Sequence, residues 1–241
     1  MITKAQIKSI KALADKRGRV EQGAFIAEGE KLVAELRSSH LTVREIYATK
    51  PLWEGVEVIS QGDMERISQL KSSNNALAVV ECPRYDIGAA EPTKNLVLAL
   101  DRVQNPGNLG TIIRLADWFG ITDIVCSEDS ADCFNPKVVQ ATMGAILRVR
   151  VHYTNLAKWL GEQHGAKVYG TFLEGENIYS AKLDKSGIIV MGNEGQGIST
   201  EVAATVSHKL LIPPYPADRC GSESLNVAVA TAVICSEFRR R

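Results

Sequence analysis

The sequence predicts an α/β protein in two parts: a small mixed α/β part first, then a larger part built on a mostly parallel sheet. Three observations carry this. From Lys94 onward, short apolar strand-like runs alternate with helical patterns across short connections, the order that gives a parallel sheet with helices on both faces. Before about residue 82 the order of elements is less regular. Between the two, Pro83 to Thr93 holds Pro83, Gly88 and Pro92 with few large apolar side chains, which is linker composition. The expected parts are therefore residues 1–82, a linker at 83–94, and residues 95–241.

In the first part, Ile7, Ile10 and Leu13-Ala14 recur at helical spacing. A basic turn follows, then a short strand Ala24-Phe25-Ile26-Ala27 and a helix from Gly29 to Ser38. REIYAT, GVEVIS and ALAVVEC read as strands, with the helix DMERISQL between the last two. Lys16, Arg17, Arg19 and Lys31 make a basic cluster around the first turn. Such a cluster is either a solvated face or a patch that meets phosphates.

In the second part, NLVLALD is a buried strand ending at Asp101, and LGTIIRLADWFG is a helix after the Asn105-Pro106-Gly107-Asn108 turn. ITDIVCS and ILRVRVHY are strands flanking the helix NPKVVQATMGA, and NLAKWLGEQHG is the next helix. AKVYGTFLE, GIIVMGNE and HKLLIPP complete six strands. Ligands of such sheets sit beyond the carboxyl ends of the strands. The polar loops 105–108, 192–197 and 213–224 all follow strands, so all three belong at one edge. The tail from Leu225 to Ile234 runs almost without charge and is rich in Ala, so it reads as a final helix covered on several sides. Ser222 or Ser224 suits its start, and Arg239 to Arg241 suit the negative end of its dipole.

Composition narrows the function classes. Hydrophobic residues make 45% of 241 and charged residues 23%, which is ordinary for a globular chain. Basic and acidic residues balance at 28 each, so any nucleic-acid contact must come from local patches rather than a general positive field. The five cysteines form no CxxC pair, and the four histidines show no metal-ligand spacing, so neither a disulfide framework nor a metal site is expected. The chain is charged from Lys4 onward and holds no apolar run near the roughly 20 residues of a membrane helix, so a cytoplasmic protein is expected.

Three segments carry chemistry. GNEGQGIS, Gly192 to Ser199, ends a strand with glycines that let backbone approach a ligand closely, though a tight structural turn would read the same. It is G-x-x-G-x-G rather than the dinucleotide G-x-G-x-x-G, and Glu194 inside it would repel a pyrophosphate, which argues against nicotinamide binding. In the Asp101–Gly120 stretch, Asn108 follows Pro106-Gly107 and is an ordinary helix N-cap choice. Arg114 stands among apolar Ile112, Ile113, Leu115 and Ala116, so its head either faces a site or snorkels to solvent. Ser224 and Asn226 set polar groups beside an otherwise dry helix start. GSESL is not the GxSxG elbow of a serine hydrolase.

Together, DRVQNPGNLGTIIRLADWFGI, IIVMGNEGQGIS and LLIPPYP…SESLNVAVATAV resemble the three signature motifs of the SpoU (TrmH-like) branch of SPOUT RNA methyltransferases. PKVVQATMGAILRVRV resembles that family's connecting segment, and RGRVEQGAFIAEGEKLVAELR resembles its N-terminal, ribosomal-protein-like RNA-binding domain. The segment from Pro213 to Ser224, with Asp218, Arg219 and Cys220, is longer than is common there.

The resemblance implies a deep trefoil knot, S-adenosyl-L-methionine as cofactor, and a homodimer packed through the knotted domains. It implies methyl transfer to a ribose 2′-hydroxyl of RNA, ribosomal RNA ahead of transfer RNA, with a binding-only protein carrying a degenerate site as the reading from another class. The cofactor positions map to Gly192, Ile212 and Leu225. Arg114 becomes the candidate catalytic residue. A guanidinium keeps its proton and is a poor base, so holding a phosphate and stabilising the developing oxyanion suits it better. Glu194 would orient Arg114 or the ribose, while Asn108, Ser224 and Asn226 hold loops and substrate.

Overall fold

A computed structural model describes residues 2–70, 72–216 and 224–240. In chain order the first elements are α1 (Lys4–Ala12), α2 (Lys16–Gln22), β1 (Ala24–Glu28), α3 (Glu30–Arg37), β2 (Val43–Ala48), β3 (Glu57–Val58), α4 (Gln61–Ile67) and β4 (Ala76–Glu81). There follow β5 (Leu96–Leu100), α5 (Pro106–Trp118), β6 (Asp123–Ser127), α6 (Pro136–Thr142), β7 (Arg150–Thr154) and α7 (Leu156–Gly161). The last are β8 (Val168–Asn177), β9 (Gly187–Met191), α8 (Thr200–Ala203), β10 (His208–Leu211) and α9 (Val227–Arg240). The chain divides by its contacts into two compact units, residues 1–84 with 132–147, and residues 85–131 with 148–241. Chain order places 132–147 in the second part, whereas its contacts place it in the first.

In the first unit, β1, β4, β2 and β3 form a four-stranded sheet in that order, antiparallel except for β2 with β3. One face is sealed by Ile7 and Ile10 of α1 and Met64 and Ile67 of α4 over Ile26, Leu77 and Val79. Each such buried side chain contributes about 2 kcal/mol by leaving water. The expected basic turn is itself the helix α2, and Gly18 explains how it packs. A Cβ there would lie 2.0 Å from the Ala12 carbonyl oxygen, so only glycine lets α2 close on the end of α1. Segment 132–147 joins this unit through a stack of Phe134 on Phe25, with ring centroids 4.7 Å apart.

The second unit carries the predicted six strands in one sheet, order β10-β8-β9-β5-β6-β7, with every neighbouring pair parallel. β5, β6 and β9 are buried along their whole length, as near-continuous apolar runs require when helices cover both faces. On one face, Val97, Ala99 and Val190 meet Leu156, Trp159 and Leu160 of α7 and Val202 of α8. On the other, the Tyr169 ring meets Phe238 of α9 edge-on at 5.0 Å. At the start of β6, Asp123 is buried and accepts from Arg150 at 2.6 and 2.7 Å and faces His152 at 3.0 Å. Burial works to raise its carboxyl pKa, but the His152 and Arg150 hydrogen bonds outweigh this and hold it well below the usual carboxylate range.

The ends of the tail helix differ from expectation in an instructive way. Asn226, not a serine, caps α9, accepting from the Ala228 and Val229 amides at 3.0 and 3.3 Å. Ser222, Arg241 and the Asp218, Arg219 and Cys220 insertion lie outside the described residues. Arg239 does not serve its own helix end: it donates to the Phe119 and Gly120 carbonyls at 2.7 and 3.0 Å, satisfying the end of α5.

Candidate active site

The site is built where the turns after β5 and β9 meet the start of α9. Pro106 opens α5, and Asn105 caps it by accepting from the Gly107 and Asn108 amides. Asn108 is therefore not the cap that its place after Pro-Gly suggests. Its side chain is left available, and its Nδ2 donates to Glu194 Oε1 at 2.5 Å. Its Oδ1 accepts from Asn226 Nδ2 at 3.1 Å. Three of the five residues expected in the chemistry, Asn108, Glu194 and Asn226, thus form one continuous chain of hydrogen bonds.

Glu194 is held out by a tight turn. Asn193 and Gly197 exchange backbone hydrogen bonds at 3.0 and 2.9 Å. Gly192 makes this possible, because a Cβ there would lie 2.4 Å from the Gly197 carbonyl carbon. Asn193 gathers the Gly195 and Gln196 amides on its Oδ1 and donates Nδ2 to the Arg102 carbonyl at 2.8 Å. Asp101 accepts the Ser199 amide at 2.6 Å, and Arg102 donates to Gln196 Oε1 at 2.9 Å. The reading of single residues in the sequence passed over Asp101, Arg102, Asn193 and Gln196. Their signal was position: each is polar and sits just beyond the carboxyl end of a sheet strand.

Gly192 follows β9 and Ile212 follows β10, with β8 lying between those strands, so the two are roughly 10 Å apart by two strand spacings. Both are partly buried, while Leu225, two residues before α9, is 50% exposed. This set offers backbone groups and apolar side chains, and Glu194 adds a carboxylate. It fits a ligand that carries a positive centre, since no member of the set repels a cation.

Arg114 and Ser224 are not drawn into this chain of hydrogen bonds. Both are exposed, and no described residue accepts a hydrogen bond from the Arg114 guanidinium. Glu194 meets Asn108 instead of Arg114. Arg114 lies six residues beyond Asn108 on α5, about 9 Å along the axis and on another face. There it shares a stripe with Gly107, Thr111 and Trp118, all exposed, Trp118 by 83%.

Of the basic cluster, Lys16, Arg17 and Lys31 are exposed, and Arg17 pairs with Glu21 at 2.7 Å. Arg19 is a correction to the expected surface patch. It is 3% exposed, pairs with Asp132 at 2.7 Å, and donates to the Leu13 and Ala14 carbonyls, each at 2.8 Å. Four of its five N–H donors are spent inside the fold, ending α1 and anchoring segment 132–147, and the side chain is too buried to meet a phosphate. Among the described residues, no group of three or more His, Cys, Asp or Glu is placed to hold a metal, and no helix is long and apolar enough to cross a membrane.

Residues 95–236 match the model of the SpoU rRNA Methylase family, and residues 4–81 match that of the MRM3-like substrate binding domain. The 23S rRNA (guanosine(2553)-2′-O)-methyltransferase RlmP of Bacillus subtilis is 31% identical over 245 residues, covering 97% of this chain and 96% of its own. A TrmH-family protein structure from Porphyromonas gingivalis is 40% identical with a TM-score of 0.89, covering 100% of this chain and 99% of that one. The AdoMet-bound rRNA methyltransferase from Sinorhizobium meliloti is 28% identical with a TM-score of 0.88, covering 100% and 96%.

Proposed function

The chain belongs to the SpoU rRNA methylase family, and on that premise we propose that it is an S-adenosyl-L-methionine-dependent methyltransferase acting on a ribose 2′-hydroxyl in 23S-type ribosomal RNA. The observation that carries the reading is the Asn226–Asn108–Glu194 chain, which joins one residue from each of the three motifs in one hydrogen-bonded unit. Ribosomal RNA is favoured over transfer RNA because RlmP of Bacillus subtilis and the Sinorhizobium meliloti enzyme, both matched along nearly the whole chain, are named for rRNA.

When bound, the cofactor supplies a methyl group on a sulfonium centre. The residues of this chain then act by placement. Gly192, Ile212 and Leu225 would hold the cofactor through backbone and apolar contacts, and the Glu194 carboxylate would favour its positive charge. Asn108 and Asn226 keep Glu194 in one orientation, and Ser224, beside Leu225, helps hold the ribose. By positioning the ribose 2′-hydroxyl beside the cofactor site, these residues would supply much of the acceleration. Arg114 holds a phosphate of the target and stabilises the negative charge that develops on the attacking 2′-oxygen.

Arg114 makes no hydrogen bond to Glu194 within its own chain and lies on an exposed stripe with Trp118. Val229 of α9, the helix packed on α5, is 52% exposed as well. These features support a homodimer joined through α5 and α9, in which the Arg114 of one copy serves the ribose bound by the other. A trefoil knot with α9 threaded through a loop belongs to the same proposal; α9 is tied to α5 at both ends, by Asn226 to Asn108 and by Arg239 to the Phe119 and Gly120 carbonyls, which supports it. Lys16, Arg17 and Lys31 of the N-terminal unit meet RNA phosphates, and the cytoplasm is the proposed location.

Mapping 2′-O-methyl marks on ribosomal RNA in cells with and without the gene tests this reading. One ribose mark in 23S-type RNA is expected to vanish on deletion. Loss of a transfer-RNA mark with ribosomal RNA unchanged would move the substrate, and no lost ribose mark in either would overturn the reading.

A further inference from the structure

We infer that Arg102 is a positioning residue for the transfer reaction: it grips the 193–197 turn and thereby sets the Glu194 carboxylate against Asn108. The inference rests on the methyltransferase reading for its consequence, though not for the grip itself.

Four observations lead to it. First, Arg102 has φ +57°, in the left-handed region that glycine and asparagine adopt readily and arginine adopts at a cost. Second, that conformation is fixed from outside. The Arg102 amide donates to Ser127 Oγ at 2.8 Å, and Ser127 in turn donates to Asp129 at 2.7 Å. Third, the left-handed turn aims both ends of the residue at the same loop. Its carbonyl accepts from Asn193, and its guanidinium donates to Gln196, so the loop is held on either side of Glu194. Fourth, the neighbouring Asp101 accepts the Ser199 amide and lies 3.5 Å from Arg102 Nε. Two adjacent residues thus fix the turn at Asn193, Gln196 and Ser199. Stability alone is a poor account of Arg102. The backbone is strained, and Nε is buried without a hydrogen-bond acceptor among the described residues.

Arg102→Gly separates the two roles, because glycine relieves the backbone while removing the guanidinium. The protein is expected to fold with a Tm no lower than wild type. Without cofactor or RNA, amide hydrogen exchange at 195–199 is expected to rise about tenfold, with other core amides unchanged. At saturating substrates kcat is expected to fall about thirtyfold, with KM for RNA within about threefold. Gln196→Ala should behave like Arg102→Gly, and the double variant should be no worse than either. Gln196→Glu, which keeps an acceptor for Arg102, should restore both the slow exchange and kcat. Unchanged exchange at 195–199 in Arg102→Gly overturns the grip. Faster exchange with unchanged kcat overturns the positioning role, as does a loss of activity that only follows a lowered Tm. If wild-type protein transfers no methyl group to RNA, the functional reading fails instead, and the exchange measurement still decides whether Arg102 holds the turn.

Discussion

Asn108 donates to the Glu194 carboxylate at 2.5 Å, closing a contact between residues 86 apart in the chain. A carboxylate can only accept, so it dictates which end of the Asn108 amide faces it. The Asn108 oxygen must then face Asn226, which presents its NH2 group at 3.1 Å and keeps its own oxygen for the α9 amides. One direction of donation therefore runs from the cap of α9 through α5 to the loop after β9. The three loops are locked to one another by polarity as well as by packing.

Asn226→Asp separates the cap from the relay. A carboxylate still caps α9, so unfolding free energy should stay within about 0.5 kcal/mol of wild type. It cannot donate to Asn108, so methyl transfer should fall about a hundredfold. Asn226→Ala should lose the activity and about 1 kcal/mol of stability as well. Urea unfolding beside a methyl-transfer assay checks both. An Asp variant with wild-type turnover would show that the Asn226–Asn108 bond is incidental.

In the N-terminal unit, Arg19 and the exposed basic residues should respond differently. Asp132→Ala leaves the buried Arg19 charge without its carboxylate and should cost about 3 kcal/mol in urea unfolding. Reversing Lys16, Arg17 and Lys31 should leave stability near wild type, weaken RNA binding and flatten its dependence on salt. Cofactor affinity should not change. An unaltered salt slope in the triple variant would return those three residues to plain solvated surface.

Asp123 sets a pH dependence of stability. Its carboxyl pKa is depressed in the folded chain, so its contribution is fully present above the unfolded value of about 4 and is lost as pH falls through the lower folded value. Asp123→Asn should be less stable at pH 7, by about 2 kcal/mol given that Arg150 is partly exposed. Its disadvantage should shrink as pH drops below about 4. Unfolding free energies of the two proteins between pH 7 and pH 3 check this, and parallel curves would contradict it.

Much of this architecture was legible in the sequence because it rests on local pattern. The six strands of the second unit are apolar runs bounded by turn residues, and each appears in the sheet. What was hidden depends on distant partners. Arg19 reads as one more surface cation until Asp132 closes on it. Asn108 reads as a cap because Asn105 is an equally good one, and only the helix start decides between them. Arg102 looks like an ordinary charge after a strand, and neither its left-handed backbone nor its reach to Gln196 leaves a trace in composition or period. The docking of 132–147 on the first unit is also invisible to chain order, since Phe25 and Phe134 are far apart in sequence.

The central claim is that Arg114 acts on the ribose while the residues around Gly192 and Glu194 hold the methyl donor. The most direct measurement is single-turnover transfer from labelled S-adenosyl-L-methionine to 23S-type RNA by Arg114→Ala, with cofactor affinity measured by calorimetry on the same protein. The rate should fall at least about a hundredfold, with cofactor affinity within about twofold of wild type. A variant that still places the label on a ribose 2′-oxygen at the wild-type rate would contradict the account.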